Sequence, residues 1–511
     1  MRKLGLTNFR KFKELKPLEL GGVTFLVGEN NSGKSTFTKA AILLSNFLSK
    51  DGKSLDAILD VNDPSGKKFS FRDNNFRHVY IDTFYQALCN RSDNGVITFE
   101  ATIDDFDIKV NVVEPDAFQK ERGLALNALS IEEFSSCYPE IRIDDPEYYK
   151  KELSKETALV SSILVEDLVR GIGFLFDYET FHISVNIYDL DKKHTFEENV
   201  NLFNSGKFED GAEDTIIESI EALRKEIIKE KLSSQFYVSN SALGLLGPFL
   251  QKYYDNPEAE IIKKSFEHFN AVIKETKIEY IYAHSVHQLS SYSYGISGSN
   301  DYVDQTISRF YNQELKYKRG LLSCPRRPKD LVVEWMSSLG IGDDFKIIGE
   351  TSLKQLDSEK KLYASIIDGD EEYDLSTKGI GMIQLFILLL RLATIVTDSN
   401  RIKTVVLEEP EQNLHPALQS KLAQVFYDVY NEFDCRIIIE THSEYMIRKS
   451  SVIVSNIDNP HLDNPFKVYY FPSDGLPYEM HYLHSGAFQE QFGNGFYDEA
   501  VRLHLQIMNK D

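Results

Sequence analysis

Apolar and polar positions alternate in short blocks toward both ends of the chain. The apolar run Val23–Val27 predicts a buried strand, and the stretch from Lys34 to about Leu48 predicts a helix because its apolar residues recur at helical spacing without Pro or Gly. From Ile278 onward, strand-like and helical patterns alternate again and end in a predicted helix at Tyr497–Met508. Further strands are predicted at Met1–Phe9, Val96–Ile103 and Asp107–Val113. Together these blocks predict an α/β fold.

The middle of the chain, residues 115–276, has a different pattern. Lys and Glu become frequent there, and a strand pair is predicted near His182–Tyr188. Helical periods occur over Ser154–Phe176, Glu213–Lys231 and Glu258–Thr276. The pattern predicts a mainly helical insertion between two α/β regions, residues 1–114 and residues 277–511. The sequence has no sustained heptads, which argues against a long coiled coil.

Composition and charge are those of a globular protein. The 511 residues include 57 Lys+Arg against 79 Asp+Glu, a net charge of -22, which argues against a basic surface that coats nucleic acid but leaves a local basic groove open. The longest apolar run, near Phe386–Val396, is interrupted by Arg391 and falls short of the about 20 residues that a membrane-spanning helix needs. Because the four cysteines are scattered without a CxxC pair, we predict no zinc site and no disulfide framework. We also predict a cytoplasmic location without membrane association.

The strongest motif is Gly28–Thr36, which fits the pattern G-x-x-x-x-G-K-S/T between the predicted strand and helix. Glycines let such a loop wrap closely around phosphate groups, and the backbone N–H groups at the helix N-terminus then face the anion. Lys34 is predicted to reach the β- and γ-phosphates of ATP, and the Ser35 hydroxyl is predicted to ligate Mg²⁺. The predicted phosphate-binding residues are Gly28, Asn30, Asn31, Ser32, Gly33, Lys34, Ser35 and Thr36.

A second apolar run, Thr404–Leu407, is followed by acidic residues at its C-terminal end, where open α/β sheets place their ligands. Glu408 is predicted to hold Mg²⁺ through water, and Glu409 is predicted to polarise the attacking water. Asp is the usual residue at the first of these positions, so Glu408 is a departure that lengthens the metal ligand by one methylene. The alternative interpretation is an acidic strand end on a solvated rim.

A third apolar run, Ile437–Ile439, again ends in polar residues, Glu440–Ser443. His442 lies just past this predicted strand, where a histidine can contact the γ-phosphate and sense its loss. An isolated histidine of this kind is also compatible with an ordinary surface position. Its place one strand after Glu409 favours the functional interpretation.

Three of these segments together resemble a known family: Glu409–Glu411, Asn413–Pro416 and Glu440–Ser443. They are similar to the ABC-type ATPases of the overcoming-lysogenization-defect (OLD) class, relatives of the SMC heads and of the ATPase heads of double-strand-break repair. The opening Asn8–Phe12 looks like the start of the same class, and Gly495–Glu499 looks like the close of one of its bacterial subfamilies. The resemblance therefore implies that the two α/β regions are the N-lobe and C-lobe of one ABC-type P-loop ATPase head.

The same resemblance implies further site residues. Gln412–His415 would form the D-loop that crosses between two subunits. Ser376–Gly381 stands where the ABC signature would be, before the helical stretch Met382–Thr397, whose N-terminus can bind the γ-phosphate held by a partner subunit. This match is degenerate because Thr377 and Lys378 replace the glycine pair of the signature. The residues implied at the nucleotide are Ser376, Gly379, Gly381 and Arg10, and the candidates for the Q-loop glutamine are Gln86 and Gln288.

The resemblance also implies how the site would be used. Two composite sites would form in a head-to-head homodimer or a higher even oligomer, each holding ATP and Mg²⁺ between the P-loop of one chain and the signature of the other. The family use would be a bacterial anti-phage defence switch that controls a separately encoded nuclease or toxin, as in Septu-like, PARIS-like or retron-associated systems. OLD nucleases carry a Toprim domain after the ATPase, and because no D-x-D pair follows His442 the chain is expected to lack one.

Two alternatives stay open. One is a DNA-repair or recombination ATPase that acts on DNA ends. The other is an ATPase with its own nuclease activity, for which Arg72 and His78 resemble the R-x4–6-H motif of HEPN ribonucleases. The most basic segment of the chain, Pro325–Lys329, is a candidate contact for nucleic acid or for a partner.

Overall fold

The structure is a computed structural model with two compact units. It describes residues 1–48, 68–71, 81, 84–92, 94–114, 158–177, 182–188, 194–201, 257–282, 294–295, 302–350, 361–399, 402–458, 464–493, 496–497 and 499–508. The first unit comprises Met1–Leu18 with Leu43–Glu275, and the second comprises Glu19–Ile42 with Thr276–Asp511. The three-region division of the sequence at residues 114 and 276 stays a prediction.

The strands and helices are numbered in chain order. The strands are β1 (Lys3–Phe9), β2 (Phe12–Glu19), β3 (Val23–Gly28), β4 (Lys68–Phe69), β5 (Val96–Ile103), β6 (Phe106–Val113), β7 (Ala158–Asp167), β8 (Ile172–Asp177), β9 (His182–Tyr188), β10 (His194–Asn201), β11 (Thr276–Tyr282), β12 (Tyr294–Gly295), β13 (Asp344–Glu350), β14 (Lys361–Asp368), β15 (Glu371–Asp374), β16 (Ile402–Glu408), β17 (Cys435–Glu440), β18 (Phe466–Phe471) and β19 (Tyr478–Glu479). The helices are α1 (Lys34–Leu48), α2 (Phe84–Ala87), α3 (Pro257–Glu275), α4 (Tyr302–Lys318), α5 (Pro328–Leu339), α6 (Ile380–Val396), α7 (Pro416–Phe433), α8 (Glu444–Ser455) and α9 (Glu499–Met508).

The second unit is built on a sheet with the strand order β11-β16-β17-β3-β18-β19. The first five strands run parallel, and β19 pairs with β18 in the antiparallel direction. Val23–Gly28 is buried along its whole length, as expected for a parallel strand that helices cover on both faces. Because parallel strands share one direction, the C-terminal ends of β3, β16 and β17 meet at the same edge of the sheet. The predicted α/β fold is confirmed.

Helix α6 fills the core of this unit. It confirms the helix expected at Met382–Thr397, and its apolar side chains belong to the main buried cluster. Phe386 stacks edge-on against Phe345 at 5.2 Å between ring centroids, and Phe345 in turn contacts Phe310 at 5.7 Å. A second, smaller sheet of β12, β14, β13 and β15 lies in the same unit. Among the residues that the structure describes, no helix is both long and apolar enough to cross a membrane.

The first unit contains a sheet with the order β10-β9-β8-β7-β6-β5-β1-β2, and β4 pairs with β7. Here the helix predicted at Ser154–Phe176 is wrong. Its described residues, from Ala158 onward, form the antiparallel strands β7 and β8, joined by a turn in which Gly171 has φ 65°. The first four residues of β7 are all buried, and buried and half-buried side chains alternate only from Ser161 to Asp167. Periodicity alone does not distinguish a short apolar run of this kind from a buried helical segment. Pairing with β6 decides the outcome, since strand preference depends on neighbours distant in sequence.

The remaining helix and strand predictions for residues 115–276 are partly confirmed. The helix at Glu258–Thr276 is confirmed as α3, and the strand pair near His182–Tyr188 is confirmed because β9 pairs with β8 and β10 in the antiparallel direction. The predicted helix at Glu213–Lys231 lies outside the described residues, as do Arg72 and His78. The described part of the insertion therefore has four strands, β7 to β10, in addition to its helix α3, so its mainly helical character is corrected for these residues.

Candidate nucleotide site

The loop between β3 and α1 has the backbone that phosphate binding requires. Gly28 has φ 133°, and a Cβ there would lie 2.1 Å from the carbonyl oxygen of Phe471 on the neighbouring strand β18. Gly33 has φ 108°, also in the region that favours glycine. Helix α1 then begins at Lys34, so its N-terminal N–H groups open onto the loop. The predicted strand, loop and helix of the motif are thus all present.

Two buried side chains of the loop indicate that it fits a polyanion. Lys34 is only 3% exposed, and its Nζ donates hydrogen bonds to the carbonyl oxygens of Gly28 at 3.0 Å and Glu29 at 2.7 Å. The Ser32 hydroxyl is buried, at 2% exposure of the residue, and no described residue bonds to it. A buried hydroxyl is normally hydrogen-bonded, so this one matches a site that a ligand oxygen completes. The exposed residues of the loop are Glu29, Asn30 and Asn31.

A glutamate that sequence reasoning did not select accepts two side-chain hydrogen bonds from α1. The Ser35 hydroxyl donates a hydrogen bond to Oε1 of Glu440 at 2.7 Å, and the Thr38 hydroxyl donates to Oε2 at 3.3 Å. Glu440 is 3% exposed. Burial, with the negative charges of Glu408 and Glu409, raises the pKa of the Glu440 carboxyl to about 7, against the Ser35 hydrogen bond and the Lys34 charge, which lower it.

The two predicted acids after β16 have different surroundings. Glu408 ends the strand, and its carboxylate accepts a hydrogen bond from the Tyr280 hydroxyl on β11. Glu409 has φ 45°, a left-handed conformation that few residues other than glycine adopt. Its backbone N–H donates to the carbonyl of Glu440 at 2.8 Å, and its carboxylate accepts from the Gln412 amide. The acid predicted to polarise water is therefore held in one orientation.

His442 completes this edge of the sheet. Its Nε2 lies 3.6 Å from Oε1 of Glu409. Its backbone N–H donates to Oε1 of Glu411 at 2.7 Å, while the other oxygen of Glu411 is buried without a bond from any described residue. Burial, together with the charge of Lys34, lowers the pKa of the His442 imidazole, which favours its neutral form. Burial raises the pKa of the Glu411 carboxyl.

The segment implied as a signature forms a short turn before α6. Asp374 caps it: its Oδ1 accepts hydrogen bonds from the Ser376 backbone N–H at 2.9 Å and from the Ser376 hydroxyl at 2.5 Å. Gly379 is the N-terminal capping residue of α6, and a Cβ there would meet nothing within 4 Å. A Cβ on Gly381 would lie 2.2 Å from the carbonyl oxygen of Asn413, so this glycine allows the predicted D-loop to pack on α6.

The structure thus brings together most of the predicted site residues of the second unit. The loop Gly28–Thr36, the two acids after β16 and His442 share one edge of the sheet. Arg10 is exposed and belongs to the first unit, so its role at the nucleotide stays a prediction. Of the Q-loop candidates, Gln86 lies in α2 of the first unit and Gln288 lies outside the described residues.

The basic segment Pro325–Lys329 is largely neutralised by acids of its own unit. The ion pairs are Arg326 with Glu334 and Glu432, Arg327 with Glu314, and Lys329 with Asp344. A phosphate backbone would have to compete with these carboxylates for the same cations. A nucleic-acid contact at this segment stays a prediction.

The sheet order, the loop before α1 and the polar ends of β16 and β17 define an α/β P-loop ATPase fold. Comparison with protein families agrees: residues 1–447 match the AAA ATPase domain family. The chain belongs to this family. The match covers most of the chain, so the ATPase class predicted from the motifs is confirmed at this level, and nucleotide binding is the family property.

Solved structures of SMC heads are also similar to the chain. One is the SMC head bound to the C-winged helix domain of ScpA, with 11% identity, a TM-score of 0.36, and 94% of this chain and 96% of that chain covered. Another is the SMC head domain from Thermotoga maritima, with 10% identity, a TM-score of 0.31, and 94% and 98% covered. A third, derived from Pyrococcus furiosus, is an SMC head with an extended coiled coil bound to the C-terminal domain of ScpA, with 12% identity, a TM-score of 0.34 and 99% of both chains covered. No curated protein gives a significant match.

Proposed function

We propose that the chain binds ATP with Mg²⁺ at the loop Gly28–Thr36 and hydrolyses the γ-phosphate. The observation that carries this proposal is the Glu409–His442 pair, separated by 3.6 Å at the same sheet edge as the buried Lys34 and the unsatisfied Ser32 hydroxyl. Phosphate binding alone does not require a glutamate in a strained backbone conformation beside a histidine, so this pair supports hydrolysis in addition to binding. Bound Mg²⁺ would neutralise charge on the β- and γ-phosphates, with Ser35 as its protein ligand and acids nearby.

In the proposed reaction Glu409 acts as the base. A water molecule attacks the γ-phosphorus while its proton moves toward the Glu409 carboxylate, and the bond from that phosphorus to the β–γ bridging oxygen breaks. ADP and inorganic phosphate are the products. The Gln412 amide donates to this carboxylate, and the hydrogen bond from the Glu409 N–H to the Glu440 carbonyl fixes the backbone of the base. Lys34 and the neutral His442 would contact the phosphate oxygens.

We further propose that two chains close around ATP as a homodimer or a higher even oligomer. The start of α6 supports this: Gly379 and Ile380 are exposed, and Ser376 is held in a turn that leaves the helix N-terminus accessible. Such an end is suited to an anion presented by another chain. The D-loop residue Asn413 lies beside it, since its amide donates to Gln384 of α6 at 3.0 Å.

For the biological role we propose an ATP-dependent switch, in the cytoplasm of a bacterium, that controls a separately encoded nuclease or toxin in anti-phage defence. The support is the resemblance of the Glu409–Glu411 and Glu440–Ser443 segments to OLD-class ATPases. The test is to capture a tagged Glu409→Gln chain from its native host in the presence of ATP and to identify the bound components. A co-purifying nuclease, toxin or reverse transcriptase supports the switch.

The same experiment separates the alternatives. Recovery of DNA-repair proteins or DNA, with ATPase activity stimulated by DNA ends, would favour a repair ATPase. Cleavage of nucleic acid by the purified chain alone, lost in Arg72→Ala or His78→Ala, would favour a nuclease within this chain. Wild-type ATP turnover by Glu409→Gln would exclude the proposed base.

A further inference from the structure

The acid that contacts the predicted Mg²⁺ ligand is not the acid that the motif assigns. Glu408 on β16 and Glu440 on β17 are direct neighbours in the parallel register. Their carboxylates nevertheless have different partners. The Tyr280 hydroxyl donates to Glu408, whereas the Ser35 hydroxyl donates to Glu440 at 2.7 Å.

Sheet topology explains this difference. Strand β17 lies between β16 and the P-loop strand β3, and Glu440 pairs in register with Leu26 of β3. Glu440 is therefore one strand closer to the loop than Glu408. Both of its oxygens are fixed by hydroxyls of α1, because Thr38 donates to the second oxygen at 3.3 Å. A carboxylate held in this way by two donors of one helix has a defined orientation toward Ser35.

The charges around Glu440 are compatible with a bound cation. Glu440 interacts with the positive charge of Lys34 and with the negative charges of Glu408 and Glu409. Among the described residues these carboxylates do not form a closed group of three metal ligands. Mg²⁺ in phosphate sites needs no such group, because it takes one or two carboxylates and fills its shell with phosphate oxygens and water. A single well-oriented carboxylate beside Ser35 is sufficient.

We propose that Glu440, together with Ser35, holds the Mg²⁺ that accompanies ATP, in the role that the motif would give to Glu408. Glu408 is instead bound by Tyr280 and contributes charge at the next strand. The inference rests on the proposed function, since it concerns the metal of the same nucleotide site. The lengthened acid at position 408, which departs from the usual Asp, is consistent with this transfer of the role to β17.

The test measures metal binding and not turnover. Mn²⁺ replaces Mg²⁺, and free Mn²⁺ is followed by electron paramagnetic resonance as it is titrated into the full-length chain with a non-hydrolysable ATP analogue. Glu440→Gln is expected to weaken Mn²⁺ binding about 10- to 100-fold, the range found when a group that orients a metal ligand is removed. Glu408→Gln is expected to weaken Mn²⁺ binding less than Glu440→Gln, and the surface control Glu432→Gln on α7 is expected to keep the wild-type Mn²⁺ affinity. Binding of the analogue in EDTA should be unchanged in Glu440→Gln.

The outcomes distinguish this inference from the proposed function. Wild-type Mn²⁺ affinity in Glu440→Gln, or a larger loss in Glu408→Gln, overturns the role of Glu440 and leaves ATP binding intact. Failure of the wild-type chain to bind the analogue at all overturns the proposed function. In a double-mutant cycle, Ser35→Ala and Glu440→Gln should be less than additive, and strict additivity counts against the pair. If Glu440→Gln does not fold, Glu440→Asp replaces it, and unchanged Mn²⁺ affinity in that variant rejects the proposal.

Discussion

The Nε2 atom of His442 lies 3.6 Å from the Oε1 atom of Glu409. The two residues follow neighbouring parallel strands, β17 and β16, so the pairing of those strands brings them together. Glu409 occupies a left-handed backbone conformation with φ 45°, and the hydrogen bond from its N–H to the Glu440 carbonyl stabilises it there. Strain of this kind persists where the surrounding structure fixes it, commonly at functional sites.

Replacement of this acid should separate ATP binding from turnover. Glu409→Gln keeps the size of the side chain but removes the base, so turnover should fall about 100- to 10,000-fold. ATP affinity should be retained, and an ATP-dependent oligomer should accumulate. Phosphate release and size-exclusion chromatography check both points. The control is Glu432→Gln on the surface of α7, which should behave as wild type; equal turnover in the two variants would rule out Glu409 as the base.

Removal of the loop lysine should strongly weaken nucleotide binding. Lys34 is buried and its Nζ faces the loop, where hydrogen bonds to charged groups contribute about 1.5–3 kcal/mol each. Lys34→Ala is therefore expected to weaken ATP binding on the order of 100-fold, measured by calorimetry. Lys421→Ala on α7 is the matched control, because its Nζ also donates to a backbone carbonyl, that of Leu339. Retained ATP affinity in Lys34→Ala would contradict the phosphate-binding role of the loop.

Stability should depend on pH through Glu411. Burial raises the pKa of this carboxyl above its ordinary value of 4.5, against hydrogen bonds from the His442 backbone and from Thr441, while the charge of Glu409 raises it further. A raised pKa means that the folded state favours the protonated form, so its contribution to stability is full below pH 4.5 and is lost as pH rises. Glu411→Gln should therefore gain free energy of unfolding relative to wild type as pH increases, measured by urea unfolding.

The companion variant Glu411→Leu tests the hydrogen bond alone. It removes the acceptor of the His442 backbone N–H, and a buried donor left unsatisfied costs about 1–3 kcal/mol. It should therefore be less stable than Glu411→Gln at every pH. If both variants unfold at the same urea concentration, Glu411 does not hold the backbone before α8.

The buried pair Glu279–Arg391 should contribute to the stability of the second unit. Arg391 on α6 donates to Glu279 on β11 at 2.6 Å, and both side chains are largely removed from water. Glu279→Gln should cost about 3–5 kcal/mol of unfolding free energy, because it leaves a buried guanidinium uncompensated. The double variant Glu279→Gln with Arg391→Met should recover part of that loss. If the double variant loses at least as much unfolding free energy as the two single variants together, the ion pair is not the source of the loss.

Two glycines at the start of α6 should respond in opposite ways. A Cβ at Gly379 would meet nothing within 4 Å, so Gly379→Phe should fold normally but block ATP-dependent association if a second chain packs there. Gly381→Ala should instead destabilise the single chain by about 1–3 kcal/mol, because its Cβ overlaps the Asn413 carbonyl. Light scattering with ATP and unfolding curves distinguish the two effects. A wild-type ATP-dependent oligomer of Gly379→Phe would argue against association at this end.

Local motifs predicted most residues of the candidate site, and long-range strand pairing determines which of them lie together. Lys34 and Ser35 were predictable because the loop pattern is contiguous, and Glu409 followed from an apolar run ending in acids. Glu440 was not selected because its partner Ser35 is 405 positions away in sequence, and only strand order brings them together. The same limitation explains the wrong helix prediction over residues 158–176, because the strand conformation of β7 depends on pairing with β6. Tyr280 likewise gave no sequence signal of its bond to Glu408.

The position of β3 also bears on how the protein is made. Val23–Gly28 leaves the ribosome long before its two neighbours in the sheet, Cys435–Glu440 and Phe466–Phe471, because both lie far downstream in the chain. At about 5–20 residues per second, this apolar strand waits on the order of tens of seconds before its partners exist. An incomplete chain therefore carries the whole loop Gly28–Thr36 but cannot assemble the pocket around it. The candidate nucleotide pocket can therefore form only after β17 and β18 have been synthesised.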